Sequence, residues 1–163
     1  MESAITPAAL LFDRDGTLIH DVPYNGDPSL VRPIDGVREA LARVRAAGIK
    51  TAVVSNQSGI GRGLVTEEQV ESVNRRVDDL LGPFDAWVQC PHRPEDECAC
   101  RKPKPQLVAD VARALGVAPA QCVMIGDNDS DVRAAEAAGA RGIKVNGART
   151  LADAVNELLR RSD

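Results

Sequence analysis

The sequence predicts an α/β fold built on a doubly wound parallel sheet, and three observations carry that prediction. Short apolar runs of strand character alternate with longer segments of helical period along the chain. Asp13, Ser55 and Asp127 each stand at or just past the end of such a run, and Lys102 lies in a loop after another. Loops at the carboxyl ends of parallel strands form the ligand crevice in sheets of this kind, so the polar residues and the alternation point to one architecture.

Taken in order, residues 8–12 (AALLF) read as a buried first strand. Residues 20–35 hold Pro23, Gly26, Pro28 and Pro33 and are predicted to be an irregular loop. The next segment sets Val37, Ala40, Leu41 and Val44 on one helical face and is stopped by Gly48. Residues 51–54 (TAVV) form the second strand. Three glycines in residues 58–63 predict a loop, after which Thr66 and Gln69 have the spacing of a capping box opening a helix to about Leu81. Residues 86–89 are the third strand. A helix buries Leu107, Val108, Val111, Ala112 and Leu115 and ends at Gly116, and residues 122–125 (CVMI) are the fourth strand. A short helix over residues 130–138 stops at Gly139, residues 142–145 are the fifth strand, and Leu151, Ala154, Val155, Leu158 and Leu159 stripe a last helix.

The whole chain, residues 1–163, reads as one domain long enough to bury a core. Aromatics are only 2% of it, so that core must rest on Val, Leu, Ile and Ala. A net charge of −4 argues against a nucleic-acid or membrane partner. There is no basic leader, and residues 8–12 are too short an apolar run for a signal peptide; a cytoplasmic monomer acting on a small phosphorylated metabolite is expected.

The chemistry is concentrated in Asp13-Arg14-Asp15-Gly16-Thr17. Side chains two apart on an extended segment share a face, so Asp13 and Asp15 are expected to point one way and Arg14 the other. One carboxylate can attack phosphorus to give an aspartyl-phosphate, and a second can protonate the leaving alkoxide and then deprotonate water. Such packed carboxylates call for a hard divalent cation, magnesium, with Asp127 supplying a further oxygen. Ser55 and Lys102 are predicted to contact the transferring phosphoryl oxygens. The plainer alternatives are a polar turn at Asp13–Asp15, a strand-end turn at Ser55 and a helix N-terminal acid at Asp131, which would otherwise hold Lys102 or a metal-bound water. His20 reads as a surface loop residue.

Cys90, His92, Cys98 and Cys100 crowd into one proline-rich stretch. A Cys₃His set fills a tetrahedral zinc site and leaves no position for water, so a structural zinc that fixes Arg101 and Lys102 is expected. Free cysteines beside an incidental histidine are the alternative. Cys122, inside a strand, reads as an inert buried thiol.

Phe12-Asp-Arg-Asp-Gly-Thr17, Ser55-Asn-Gln-Ser-Gly59, Cys100-Arg-Lys-Pro103 and Gly126-Asp127-x-x-x-Asp131 together resemble the four motifs of the haloacid dehalogenase phosphatases. The resemblance implies a Rossmann-like sheet of that family's type, with Asp13 as nucleophile and magnesium ligand. It makes Asp15 the acid/base, lending its main-chain carbonyl to magnesium, and Asp127 a third magnesium ligand. Ser55 and Lys102 would stabilise the phosphoryl group, and Arg101 would help recognise substrate. A helix, a strand and loops fill the intervals from Asp15 to Ser55 and from Ser55 to Lys102, which leaves no room for a separate cap domain.

The zinc loop narrows the resemblance to the branch acting on D-glycero-D-manno-heptose 1,7-bisphosphate and on histidinol phosphate. Asn56, Gln57, Ser58 and Arg62 in the second loop, with Asp21 and Tyr24 after the first, are similar to the substrate loops of the heptose enzymes. The five-residue spacer from His92 to Cys98 is instead similar to that of the histidinol enzymes, and Asn128 replaces a lysine frequent in the heptose group. Two loop matches outweigh one spacer, so loss of the heptose 7-phosphate is expected, with histidinol phosphate or another sugar phosphate as alternative. A receiver-type signalling domain, which keeps its aspartyl-phosphate, is the remoter one; Asp15, poised to activate water, argues against it. A zinc-dependent binding module with a vestigial magnesium site is a third, and neither of these needs all four motifs.

Overall fold

The computed structural model describes residues 6–160, so the ends of the expected 1–163 domain, residues 1–5 and 161–163, lie outside the described residues. Five strands form one parallel sheet: β1 (Ala9–Phe12), β2 (Lys50–Asn56), β3 (Ala86–Cys90), β4 (Cys122–Gly126) and β5 (Arg141–Lys144). Their order is β3-β2-β1-β4-β5. The helices are α1 (Val37–Ala46), α2 (Ser58–Gly61), α3 (Glu67–Leu81), α4 (Gln106–Leu115), α5 (Asp129–Ala138) and α6 (Leu151–Arg160).

Both faces of the sheet are covered, and the period-two alternation of each strand divides the core. Leu10, Phe12, Val53, Val123 and Ile125 face one side, where Val37, Leu41 and Val44 of α1, Val73 and Val77 of α3 and Val155 and Leu158 of α6 meet them. Ala9, Leu11, Ala52, Val54, Cys122 and Met124 face the other, against Val108, Val111 and Ala112 of α4 and Ala134 and Ala135 of α5. Each fully buried Val or Leu contributes about 1.5–3 kcal/mol. That is how a chain so poor in aromatics holds two packed layers.

The chain runs outward from β1 through β2 to β3, then returns to add β4 on the opposite edge of β1. The strand order therefore reverses between β1 and β4, and ligands of open α/β sheets bind at the carboxyl ends of the strands at such a reversal. Phe12 is in register with Ile125 on one side and with Val53 on the other, which brings residues 13, 54–55 and 126–127 to one level.

Three local differences from the sequence expectation have physical causes. β2 runs on through Ser55 and Asn56, because Asn56 pairs with Cys90 at the end of β3. Residues 58–61 form a helical turn despite two glycines, pinned from outside where Gln57 N–H donates to Cys90 O and Gly61 N–H to Pro91 O. The expected loop 20–35 contains a 3-10 turn, Pro28–Leu30, which the Asp27 side chain caps. The Thr66–Gln69 capping box is present in full, with Gln69 N–H donating to Thr66 Oγ1 and Thr66 N–H to Gln69 Oε1. No helix among the described residues is long and apolar enough to cross a membrane.

Candidate active site

Asp13 leaves β1 as its N–H donates to Ile125 O of β4, so the strand ladder itself fixes the carboxyl over the reversal point. Two glycines keep the space open. Gly16 has φ +79°, a left-handed conformation costly to other residues, and a side chain there would collide with the Asp127 carboxylate. A side chain at Gly126 would collide with Asp131.

Lys102 ties the centre together although its main chain comes from the loop before α4. Its ammonium, 3% exposed as a residue, donates to Asp131 Oδ1 at 2.6 Å, Val54 O at 2.8 Å and Asp13 Oδ1 at 3.1 Å. Asn56 clamps the Lys102 main chain at both ends: Lys102 N–H donates to Asn56 Oδ1 and Asn56 Nδ2 donates to Lys102 O. Burial works against the ammonium charge, but Asp13 and Asp131 outweigh it and hold the Lys102 pKa above its ordinary value. Burial likewise pushes the Asp13 carboxyl up to about 8; Lys102 opposes this shift and Asp131 adds to it.

Carboxylate oxygens of Asp13, Asp127 and Asp131 lie within 4.8 Å of one another. Asp131 is spoken for, with one oxygen on Lys102 and the other accepting the Asn128 N–H. Asp13 and Asp127 are left to face a cation, and one or two carboxylates are what magnesium takes beside phosphate and water. These are hard oxygen donors around a centre short of positive charge, so the residues fit the ion. The Asp15 carboxylate stands outside this triad.

The surrounding cleft, about 360 Å³, is lined by Asp13, Asp15, Asp21, Asn56, Arg101, Lys102, Asp127, Asn128, Ser130 and Asp131. It thus gathers Asp21, Asn56, Arg101 and Asn128 of the expected substrate residues. The Asn56 amide is already committed to Lys102, which makes it a support for the lysine. Ser55 lies just beneath, buried, with its Oγ accepting from Gln57 Nε2 at 2.6 Å. Tyr24, Ser58 and Arg62 are not part of the lining: Tyr24 packs against Gly59, and Arg62 faces Ser58 and, at 3.8 Å, Glu95. His20 is exposed.

Arg14 departs from the expected geometry. Expected to point away from Asp15, its guanidinium instead engages both Asp15 oxygens. Of its other partners, Asn74 carries no motif spacing that would have singled it out, while Gln57, expected to bind substrate, is outside the cleft lining and bonds Arg14 instead; Thr17 of the first motif donates its hydroxyl to Asp127.

Beside the cleft the four ligand atoms of Cys90, His92, Cys98 and Cys100 lie within 4.8 Å of one another. Sulfur separations are 3.0, 3.5 and 3.8 Å, and His92 Nδ1 is 3.4 Å from Cys90 Sγ and 3.3 Å from Cys100 Sγ. Tetrahedral zinc with Zn–S bonds near 2.3 Å sets its sulfurs ~3.8 Å apart; one pair sits at that distance and two are closer, while the softness of the donor set suits the ion. Burial pushes the Cys90 thiol up to about 12. At Cys98 burial also opposes ionisation, but the N–H groups of Arg101 and Cys100 overcome it and bring the thiol down to about 6. Cys122 is buried away from the cluster and its thiol pKa is raised by that burial.

A family model described as haloacid dehalogenase-like hydrolase matches residues 24–139. Two D-glycero-β-D-manno-heptose-1,7-bisphosphate 7-phosphatases are similar over most of their length. The one from Rhodopseudomonas palustris is 35% identical over 152 residues, covering 86% of this chain and 84% of that protein. The one from Vibrio cholerae is 39% identical over 142 residues, covering 80% and 76%. Among solved structures, the D,D-heptose 1,7-bisphosphate phosphatase of B. bronchiseptica, complexed with magnesium and phosphate, superposes with a TM-score of 0.82 at 29% identity, covering 93% of this chain and 98% of that one.

Proposed function

The chain belongs to the haloacid dehalogenase-like hydrolases and is a phosphatase, and we propose that it removes the 7-phosphate of D-glycero-D-manno-heptose 1,7-bisphosphate through an aspartyl-phosphate on Asp13. The observation that carries the mechanism is the Asp13 carboxyl seated between Lys102 and Asp127 at the reversal point of the sheet, with Asp15 lining the same cleft.

The Asp13 oxygen forms a bond to phosphorus while the bond to the sugar oxygen breaks, and the leaving alkoxide takes the proton of the Asp15 carboxyl. Water then attacks the phosphorus, gives its proton to the Asp15 carboxylate, and the bond to Asp13 breaks to release phosphate. Lys102, in the cleft lining, and Ser55, just beneath it, would meet the phosphoryl oxygens, whose charge shifts during both transfers. Asp13, Asp127 and the Asp15 carbonyl would hold magnesium, which when bound neutralises phosphate and carboxylate charge. Asp15 also separates this reading from a receiver domain, since a carboxyl beside the adduct favours its hydrolysis. Asp21, Arg101 and Asn128 line the cleft where the rest of the sugar phosphate would lie.

Substrate choice is tested by phosphate release with magnesium from heptose 1,7-bisphosphate, histidinol phosphate and a panel of sugar phosphates. A kcat/KM at least about tenfold higher for the heptose compound is expected, roughly 1.4 kcal/mol of transition-state preference. Preference for histidinol phosphate would mean that the short spacer between His92 and Cys98 is the better guide. No release from any of them would leave the phosphatase fold standing and reopen the substrate question and the receiver reading.

Magnesium binding should itself depend on pH. The Asp13 pKa is raised from 3.8 to about 8, so the metal-free native state holds a proton that the unfolded chain has lost. Stability without metal is therefore greatest below about pH 4 for this group and declines as pH rises toward 8. Magnesium must displace that proton, so its apparent affinity should rise by up to about tenfold per pH unit below pH 8 and level off above. Titration calorimetry at pH 6, 7 and 8.5 reads this directly; a flat affinity would mean that magnesium displaces no proton from Asp13.

For the cysteine cluster we infer a closed structural zinc. Cys98→Ser should lower zinc per chain and reduce Tm by about 5–15 °C, a loss of a few kcal/mol in a domain of this size. Full zinc occupancy in that variant, by metal analysis, would remove Cys98 from the ligand set.

A further inference from the structure

We propose that Arg14, anchored from outside the cleft by Asn74, is the positioning residue that sets the orientation of the Asp15 carboxyl. The proposal rests on the reading of Asp15 as acid/base. Arg14 itself does not line the cleft, so any effect on the reaction must pass through a neighbour.

Arg14 is 2% exposed, and a buried guanidinium is tolerated only when its donors are met. Nε donates to Asp15 Oδ1 at 3.0 Å, and Nη2 donates to Asp15 Oδ2 at 3.1 Å and Gln57 Oε1 at 3.2 Å. Nη1 reaches Asn74 Oδ1 of α3 at 2.8 Å, and Asn74 Nδ2 passes on to Gln89 Oε1 of β3 at 3.2 Å. Gln57 closes the ring, its Nε2 donating to Asp15 Oδ2 at 3.1 Å and Ser55 Oγ at 2.6 Å. Arg14 and Gln57 thus both hold one carboxyl, and Asn74 of α3, backed by Gln89 of β3, braces the arginine from behind.

The shape of this network matters more than its charge. The planar fork meets both carboxylate oxygens at once, which fixes the rotation of the carboxyl plane; an ammonium at the same place would supply charge without that constraint. Asp15 must serve two partners in turn, the sugar oxygen and then water. A misplacement near 1 Å in such a group costs about 100-fold in rate. In the first transfer the Asp13–phosphorus bond forms, the phosphorus–alkoxide bond breaks and Asp15 gives up its proton; Arg14 exchanges none.

The test compares kcat/KM for heptose 1,7-bisphosphate, whose alkoxide needs a proton, with p-nitrophenyl phosphate, whose phenolate does not. Arg14→Gln should lower the first by about 100-fold and the second by less than about fivefold. Arg14→Lys should fall between wild type and Arg14→Gln, and Asn74→Ala should show the same bias at about five- to tenfold. On an Asp15→Asn background, Arg14→Gln should cost less than about threefold more, because residues acting as a unit are not additive.

Equal losses on both substrates, or full additivity with Asp15→Asn, would reduce Arg14 to a structural ion pair. If Arg14→Gln does not fold, the substrate bias of Asn74→Ala decides by the same criterion. Asp15→Asn alone separates the two readings. Without a bias of its own, the acid/base assignment falls and the proposal with it; with a bias that the Arg14 and Asn74 variants lack, only the positioning role falls.

Discussion

Asp13→Asn is expected to reduce phosphate release by at least about 10⁴-fold, some 5.4 kcal/mol of barrier, while leaving the fold intact. The substitution is nearly isosteric, and the amide still reaches Lys102. What disappears is the nucleophilic oxygen and half of the carboxylate pair available to a cation. The metal-free variant should melt at or above the wild-type temperature at pH 8, because burial already disfavours charge at this position and pushes the carboxyl up to about 8. Magnesium should then raise Tm in the wild type and barely move it in the variant. Residual turnover above about 1% of wild type, with the fold verified by circular dichroism, would transfer the nucleophile to another residue.

The frame of this site is legible in the sequence for a simple reason. Asp13, Ser55 and Asp127 follow from strand position alone, since each ends or closely follows an apolar run and strand ends converge in an open sheet. Lys102 is harder to derive that way: no strand delivers it, and only the Cys/His cluster and prolines around it mark the loop as constrained. The helices are equally readable where burial is periodic, as at Val70, Val73, Val77 and Leu81 of α3.

Side-chain reach is what periodicity does not convey. Alternation sends Arg14 away from Asp13 and Asp15, yet a guanidinium at the end of a long flexible stem returns to its neighbour's carboxylate. Asn74 lies far from every motif and meets Arg14 only through the packing of α3. The same limit applies to the substrate loops. Asp21 enters the cleft while Tyr24, three residues on, adopts φ +53° and packs on Gly59, a turn that motif spacing could not announce.

Lys102→Met should be the most damaging change to stability at this site, and its cost should depend on pH. The ammonium is the shared partner of Asp13, Asp131 and Val54 O. Removing it leaves the buried Asp13 and Asp131 carboxyls facing each other without their shared cation and a carbonyl without its donor, a loss of about 3–5 kcal/mol. Because the folded pKa of Lys102 is raised, its contribution is fully present below the unfolded lysine value of 10.5 and is lost only as pH climbs through the folded one. The wild type thus keeps it throughout the neutral range. Asp13 already holds a proton below about pH 8 in the metal-free protein, and the variant can keep Asp13 and Asp131 together only by retaining it, so the deficit should be smaller at pH 5 and grow toward pH 9. Magnesium should recover part of it at pH 9 by supplying positive charge between Asp13 and Asp127. It should not recover kcat, which is expected to fall at least about 100-fold because the phosphoryl oxygens lose their fixed cation. Denaturant unfolding at both pH values, with and without magnesium, measures the first effect. An equal loss at pH 5 and pH 9 would mean that Lys102 stabilises by packing, and that charge pairing is not what holds the Asp13 carboxyl in place.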